Sequence, residues 1–154
     1  MKVGDYLNFN SIDELIKYVK VQIDDTLDKE VADGVMDEII MSVDSTVYGA
    51  GDPVMYDRRG LSPTSQGLGG RTQMHHTVDD GVLEVIDDAQ PSNPWDTDLS
   101  LAENIEYGYG DASKREWWNQ PRPFIEDARD NMENDKYHVE KMKEGLEKRG
   151  FTIL

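Results

Sequence analysis

The chain has 154 residues, no cysteine, and 32 acidic against 16 basic side chains, a formal net charge of −16. That length suits one domain, residues 1–154, with one sizeable core, and the lack of cysteine excludes disulfides and thiolate metal sites. So acidic a chain repels a phosphate backbone, which disfavours ordinary nucleic-acid binding.

No basic segment followed by an apolar run opens the chain, and no stretch approaches about eighteen apolar residues, so neither a signal peptide nor a membrane span is expected. The first element reads as a helix. Ser11 with Glu14 fits a capping box, Phe9 is placed to fold back on the first turn, and Ile12, Leu15, Ile16, Val19 and Ile23 repeat at helical spacing. A second set, Ala32, Met36, Ile39, Val43 and Val47, is also helical but points about 130° away from the first at about 100° per residue. The sequence therefore predicts a long N-terminal helical region interrupted between Asp28 and Gly34, with both stripes forming core.

From Tyr48 to Gly70 the composition turns to Gly, Pro, Ser and Asp, which predicts a long loop. A connection of that length inside one domain is either mobile or used for binding. It carries Tyr48, Tyr56, Arg58 and Arg59, residue types that suit protein interfaces. Thr72 to Val78 and Val82 to Ile86 are β-prone around the turn Asp79-Asp80-Gly81 and predict a hairpin. Leu83 and Val85 face one side, while Val82 and Ile86 make the other partly apolar, so a strand covered on both sides is expected. After a second loop, Ser100 caps a short helix from Leu101 to Tyr107 that Gly108 ends. Ile125, Ala128, Met132, Val139, Met142 and Leu146 then make one apolar seam on a charged C-terminal rod. Gly150 stops that helix, and Phe151 to Leu154 suit an edge strand or docking on a neighbour. The expected class is α+β: a small antiparallel β-sheet packed against a long N-terminal helical region and a long C-terminal helix, with extended loops.

Positive charge is scarce and unevenly placed. Between Thr72 and Ser113 there is no Lys or Arg, while Asp79, Asp80, Glu84, Asp87, Asp88, Asp96, Asp98, Glu103, Glu106 and Asp111 all fall there. On either side stand two cationic islands, Tyr56-Asp57-Arg58-Arg59-Gly60 and Pro121-Arg122-Pro123-Phe124. Catalytic patterns are scarce too. His75 and His76 are adjacent in a strand and point to opposite faces, which prevents joint ligation of one metal. No HExxH, GxSxG or lysine-bearing phosphate loop occurs, and Asp24, Asp25 and Asp28 lack EF-hand spacing. The residues suggest no enzyme, no metal and no cofactor.

The succession Val43-Asp44-Ser45-Thr46-Val47-Tyr48, then Tyr56 to Leu61, then a hairpin, then Leu101 to Gly108, then Pro121 to Phe124, resembles the head-to-tail joining or tail-completion (neck) proteins of long-tailed double-stranded DNA phages. The resemblance covers roughly residues 30–135. It implies a virion structural protein, assembled in the host cytoplasm, whose subunits close into a ring, a hexamer, that joins the tail tube to the head and lines the DNA channel. Its implied partners are further copies of itself, adjoining connector or stopper proteins, and tail tube or tail terminator proteins. By the same resemblance Tyr48, Tyr56, Arg58 and Arg59 reach an adjoining ring or subunit, and Arg122 with Phe124 locks the last helix to the sheet.

DNA must slide through such a channel without sticking, and a carboxylate lining repels phosphate. Asp79, Asp80, Glu84, Asp87 and Asp88 are the candidates to face it. Two other readings stand beside this one: a tail terminator ring capping the tube, and an acidic monomeric DNA mimic that inhibits a nucleic-acid enzyme. The mimic accounts for the charge but not for the arginine loop or Trp117-Trp118.

Overall fold

In a computed structural model, the protein is described over residues 8–49, 67–89, 100–108 and 120–153. Its spine is one unbroken helical run: α1 (Ile12–Thr26), a π turn (Leu27–Val31), α2 (Ala32–Ser42) and a second π turn (Val43–Tyr48). The start forms as its residues dictate. The Glu14 N–H donates to Ser11 Oγ at 3.2 Å, and the Glu14 carboxylate accepts from the Asn10 N–H at 2.8 Å. Phe9 folds back, but onto Tyr18, with ring centroids 5.3 Å apart.

The predicted interruption between Asp28 and Gly34 is a π turn instead. One extra residue in a turn rotates everything after it by about 100°. That rotation lines the second apolar set up with the side of α1 that carries Lys20 and Asp24. Met36, Ile39, Val43 and Val47 are accordingly buried, together with Leu68, Met74, Ala89, Phe124 and Ala128, in the main core. The first stripe is left out of it: Ile12 is 75% exposed and Ile16 49%, and Leu15 is exposed as well. This corrects the expectation that both stripes form core.

β1 (Met74–Asp79) pairs antiparallel with β2 (Val82–Asp87) in a two-stranded sheet, with Asp79 opposite Val82 and Met74 opposite Asp87. Asp80 (φ 46°) and Gly81 (φ 83°) make the two-residue turn, both in the left-handed region that matches strand twist. Leu83 and Val85 lie on the more covered face, and Val85 packs against the core. The opposite face is open, with Val82 66% and Ile86 45% exposed, so the expected cover on both sides is absent within the described residues.

α3 (Leu101–Tyr107) is closed at both ends as its sequence requires. Ser100 and Glu103 form a reciprocal capping box, and Gly108 takes a φ of 70° beyond the last turn. The predicted C-terminal rod divides into α4 (Phe124–Asp135) and α5 (Tyr137–Lys148), with Lys136 at φ 54° between them. The break has a packing cause: α4 lies mainly against α2, whereas α5 lies mainly against the first π turn, and one straight rod cannot follow both. Beyond Gly150 (φ 90°), residues 151–153 form no strand. Phe151 stacks on Tyr18 at 6.2 Å instead, using its apolar ring inside the subunit.

Candidate functional site

The hairpin lies along one side of the spine and carries the acidic surface. Three polar contacts seat it: Lys20 Nζ to Asp80 Oδ1 at 2.7 Å, the Gly81 N–H to Asp24 Oδ1 at 2.8 Å, and His76 Nε2 to Asp28 Oδ1 at 3.0 Å. Each spine partner is an exposed or half-buried side chain on the helical run, so the acidic tip is held by a mixture of charge and backbone donors. The hydrogen bond to Asp80 holds the Lys20 ammonium above its ordinary pKa, and the same bond holds Asp80 below the usual carboxylate range.

The five predicted channel carboxylates separate into groups. Asp79, Glu84 and Asp88 are exposed, and Asp88 lies 3.4 Å from His75. Asp80 is exposed but already neutralised by Lys20. Asp87 corrects the expectation, because strand alternation turns it to the covered face beside Val85. Its Oδ1 accepts the Ala89 N–H at 2.9 Å, and its Oδ2 is buried without a hydrogen-bond partner among the described residues. Loss of solvent pushes its pKa up to about 6, with the Asp88 charge adding to the rise and the Ala89 hydrogen bond opposing it.

The predicted contact residues fare differently. Tyr56, Arg58 and Arg59 lie outside the described residues. Tyr48 is not a loop residue; it ends the second π turn and packs partly buried against the core. Phe124 is fully buried, and the Arg122 guanidinium donates to the Val47 carbonyl at 3.4 Å, while the Arg122 N–H donates to the Ile105 carbonyl at 3.0 Å. Arg122 thus ties the start of α4 to α3 and to the end of the spine rather than to the sheet. Glu106 of α3 completes that junction by accepting from the Ile125 and Glu126 N–H groups at 2.9 and 3.3 Å, an anion at a helix N-terminus.

Sequence reasoning missed two arginines that organise the surface. Arg71 bridges Asp33 and Asp37, one turn apart on α2, and so fixes the entry to the hairpin. Arg149, only 13% exposed, pairs with Glu30 at 3.0 Å and donates to the Asp25 and Gly145 carbonyls, clamping α5 to the spine. The signal for Arg71 was an i, i+4 aspartate pair, but its partner lay too far along the chain to be assigned. An open apolar groove of about 330 Å³ lies beside this clamp, lined by Leu27, Val31, Val139, Met142, Leu146 and Ile153 with His138 and Lys143.

Among the described residues no cluster of His, Cys, Asp and Glu could hold a metal ion, and no helix is long and apolar enough to cross a membrane. Fold and surface together define a small acidic α+β protein built on a helical spine, with a hairpin whose outer face is open among the described residues. The chain belongs to the YomN family, whose model matches residues 11–148, and the family is phage-associated. Comparison with curated proteins and with solved structures returns no match.

Proposed function

We propose that this chain is a structural subunit of a tailed phage's neck, a tail-completion or head-tail connector protein that forms a ring between tail tube and head. The observation that carries the reading is the outward row of carboxylates on the hairpin, Asp79, Glu84 and Asp88, in a member of a phage-associated family. Repeated around a ring, such a row gives a lumen wall that repels phosphate, and Lys20 at the hairpin tip is already paired with Asp80. Support also comes from the α+β fold, with its helical spine, small sheet and C-terminal helices, which agrees with the neck-protein resemblance.

On this reading the partners are further copies of the chain, the adjoining connector or stopper, and the tail tube or terminator. DNA passes without specific binding, and the chain performs no catalysis. Electron microscopy of headless tails incubated with the purified chain tests it. The expected outcome is an added annular layer at the head-proximal end of the tube; bare tube ends at saturating protein would reject the reading.

A further inference from the structure

An aspartate followed by glycine is the least hindered setting for attack of the backbone on its own side chain, because glycine puts no Cβ beside the attacking nitrogen. The chain has two such steps, Asp33-Gly34 and Asp80-Gly81. The first lies in the helical run, where backbone N–H groups are committed to the hydrogen-bond ladder. The second is the hairpin tip. Its Asp80 side chain is 74% exposed, and a Cβ built at Gly81 meets nothing within 4 Å, so neither packing nor lack of water shields it.

What holds the tip is α1. Lys20 and Asp24 stand one turn apart on it; Lys20 Nζ bonds Asp80 Oδ1 at 2.7 Å, and the Gly81 N–H donates to Asp24 Oδ1 at 2.8 Å. The two groups that would have to meet, the Asp80 carboxyl and the Gly81 nitrogen, are thus held by separate partners. The Asp80 φ of 46° keeps them apart as well. In the left-handed region ψ is about 30–50°, which turns the next nitrogen to the side of Cα away from Cβ. Lys20 also keeps the Asp80 carboxylate ionised, and an ionised carboxylate has no hydroxyl to lose.

We infer that Asp80-Gly81 is an isoaspartate-forming site that Lys20 and Asp24 hold closed, so that it reacts only when the tip leaves α1. In the reaction the Gly81 nitrogen bonds to Asp80 Cγ, its proton and the side-chain hydroxyl leave as one water, and a succinimide ring closes. Water then adds back to the ring, and cleavage of the backbone C–N bond leaves the chain running through the Asp80 side chain. The extra backbone carbon does not fit a two-residue turn, so the pairing of Asp79 with Val82 is lost. Nothing in this chemistry depends on whether the chain forms a ring.

The test follows isoaspartate at both Asp-Gly steps while the full-length protein ages at pH 7.5. Enzymatic methylation of isoaspartyl groups gives the amount, and fragmentation of the peptides in a mass spectrometer gives the position. Folded wild type is expected to accumulate isoaspartate at Asp80 about tenfold more slowly than the same chain held unfolded in guanidinium chloride. Lys20→Ala and Asp24→Ala are each expected to raise the folded rate at Asp80 about threefold, the modest change that loss of one exposed contact allows. Asp33-Gly34 is the control for folding, because opening of the tip leaves it unchanged. Equal rates in folded and unfolded wild type would overturn the inference, as would unchanged rates in both variants. A rise at both steps marks general destabilisation rather than a held tip and also overturns it. A slower reaction in Asp24→Ala would show this carboxylate acting as a base on the Gly81 N–H, the opposite of the role assigned.

Discussion

At the residue scale, Asp87 shows how alternation along a strand can turn a surface charge into a structural one. Its carboxyl has a folded pKa of about 6, above its unfolded value, because burial penalises the charged form. The sign follows from proton binding. Between the two pKa values the folded state holds more protons than the unfolded state, so this group's contribution to stability is present at low pH and is lost as pH rises through 6. At neutral pH it is destabilising by about 1–2 kcal/mol once its partial exposure is discounted. Asp25 and Asp80, whose pKa values are lowered by lysine partners, act in the opposite direction as pH falls. The Asp87→Asn variant keeps an acceptor for the Ala89 N–H and removes the titration. Urea unfolding is expected to show it more stable than wild type at pH 7.5, with the advantage shrinking as pH falls through 6 and vanishing only below the unfolded carboxylate value of 3.8. An advantage that does not change with pH would contradict the assignment. The charge of Asp87 was legible in the sequence; its orientation was not, because the strand's second face looked nearly as apolar as its first.

At the scale of elements, the spine and the C-terminal helices meet where side chains are small. A methyl group at Gly145 would overlap the side chain of Thr26, which is fully buried and whose hydroxyl donates to the Gln22 carbonyl at 2.7 Å. A methyl at Gly34 would come within 2.7 Å of the Tyr137 ring, which unlike Thr26 is 37% exposed. Alanine relieves glycine's helix penalty of about 1 kcal/mol in both places, but a rigid overlap costs about 1–3 kcal/mol. Gly145→Ala is therefore expected to lower the unfolding free energy by about 1–2 kcal/mol, while Gly34→Ala stays within about 0.5 kcal/mol of wild type. Chemical denaturation of both variants checks this, and equal losses would contradict it.

The same scale shows what the sequence could and could not convey. Caps are local, so Ser11, Ser100 with Glu103, Gly108 and the Asp80-Gly81 turn were readable from a few adjacent residues. The π turn at Leu27–Val31 was visible only as a mismatch between two apolar faces, and a bend, a break or an added residue accounts for such a mismatch equally well. The bend at Lys136 left no turn residue such as glycine or proline; it arises because α4 and α5 answer to different parts of the spine. Burial of Phe124 and the role of Arg122 depended on Val47 and Ile105, partners set by the tertiary fold rather than by neighbours in the chain.

At the scale of the whole molecule, the charge of −16 and the exposed apolar ridge on α1 belong to one account. A chain this acidic resists self-association through long-range repulsion, so contact between copies requires short-range apolar burial and opposite charges at the interface. The cationic island at Arg58-Arg59 lies outside the described residues, whereas the one at Arg122 is structural. The most direct test of a ring-forming neck subunit is the sedimentation mass of the purified protein, measured alone and after addition of purified tail tubes at physiological salt. The account predicts a closed oligomer, a hexamer, either in free solution or on the tubes; a species that remains one subunit in mass under both conditions, with none bound to tubes, would contradict it.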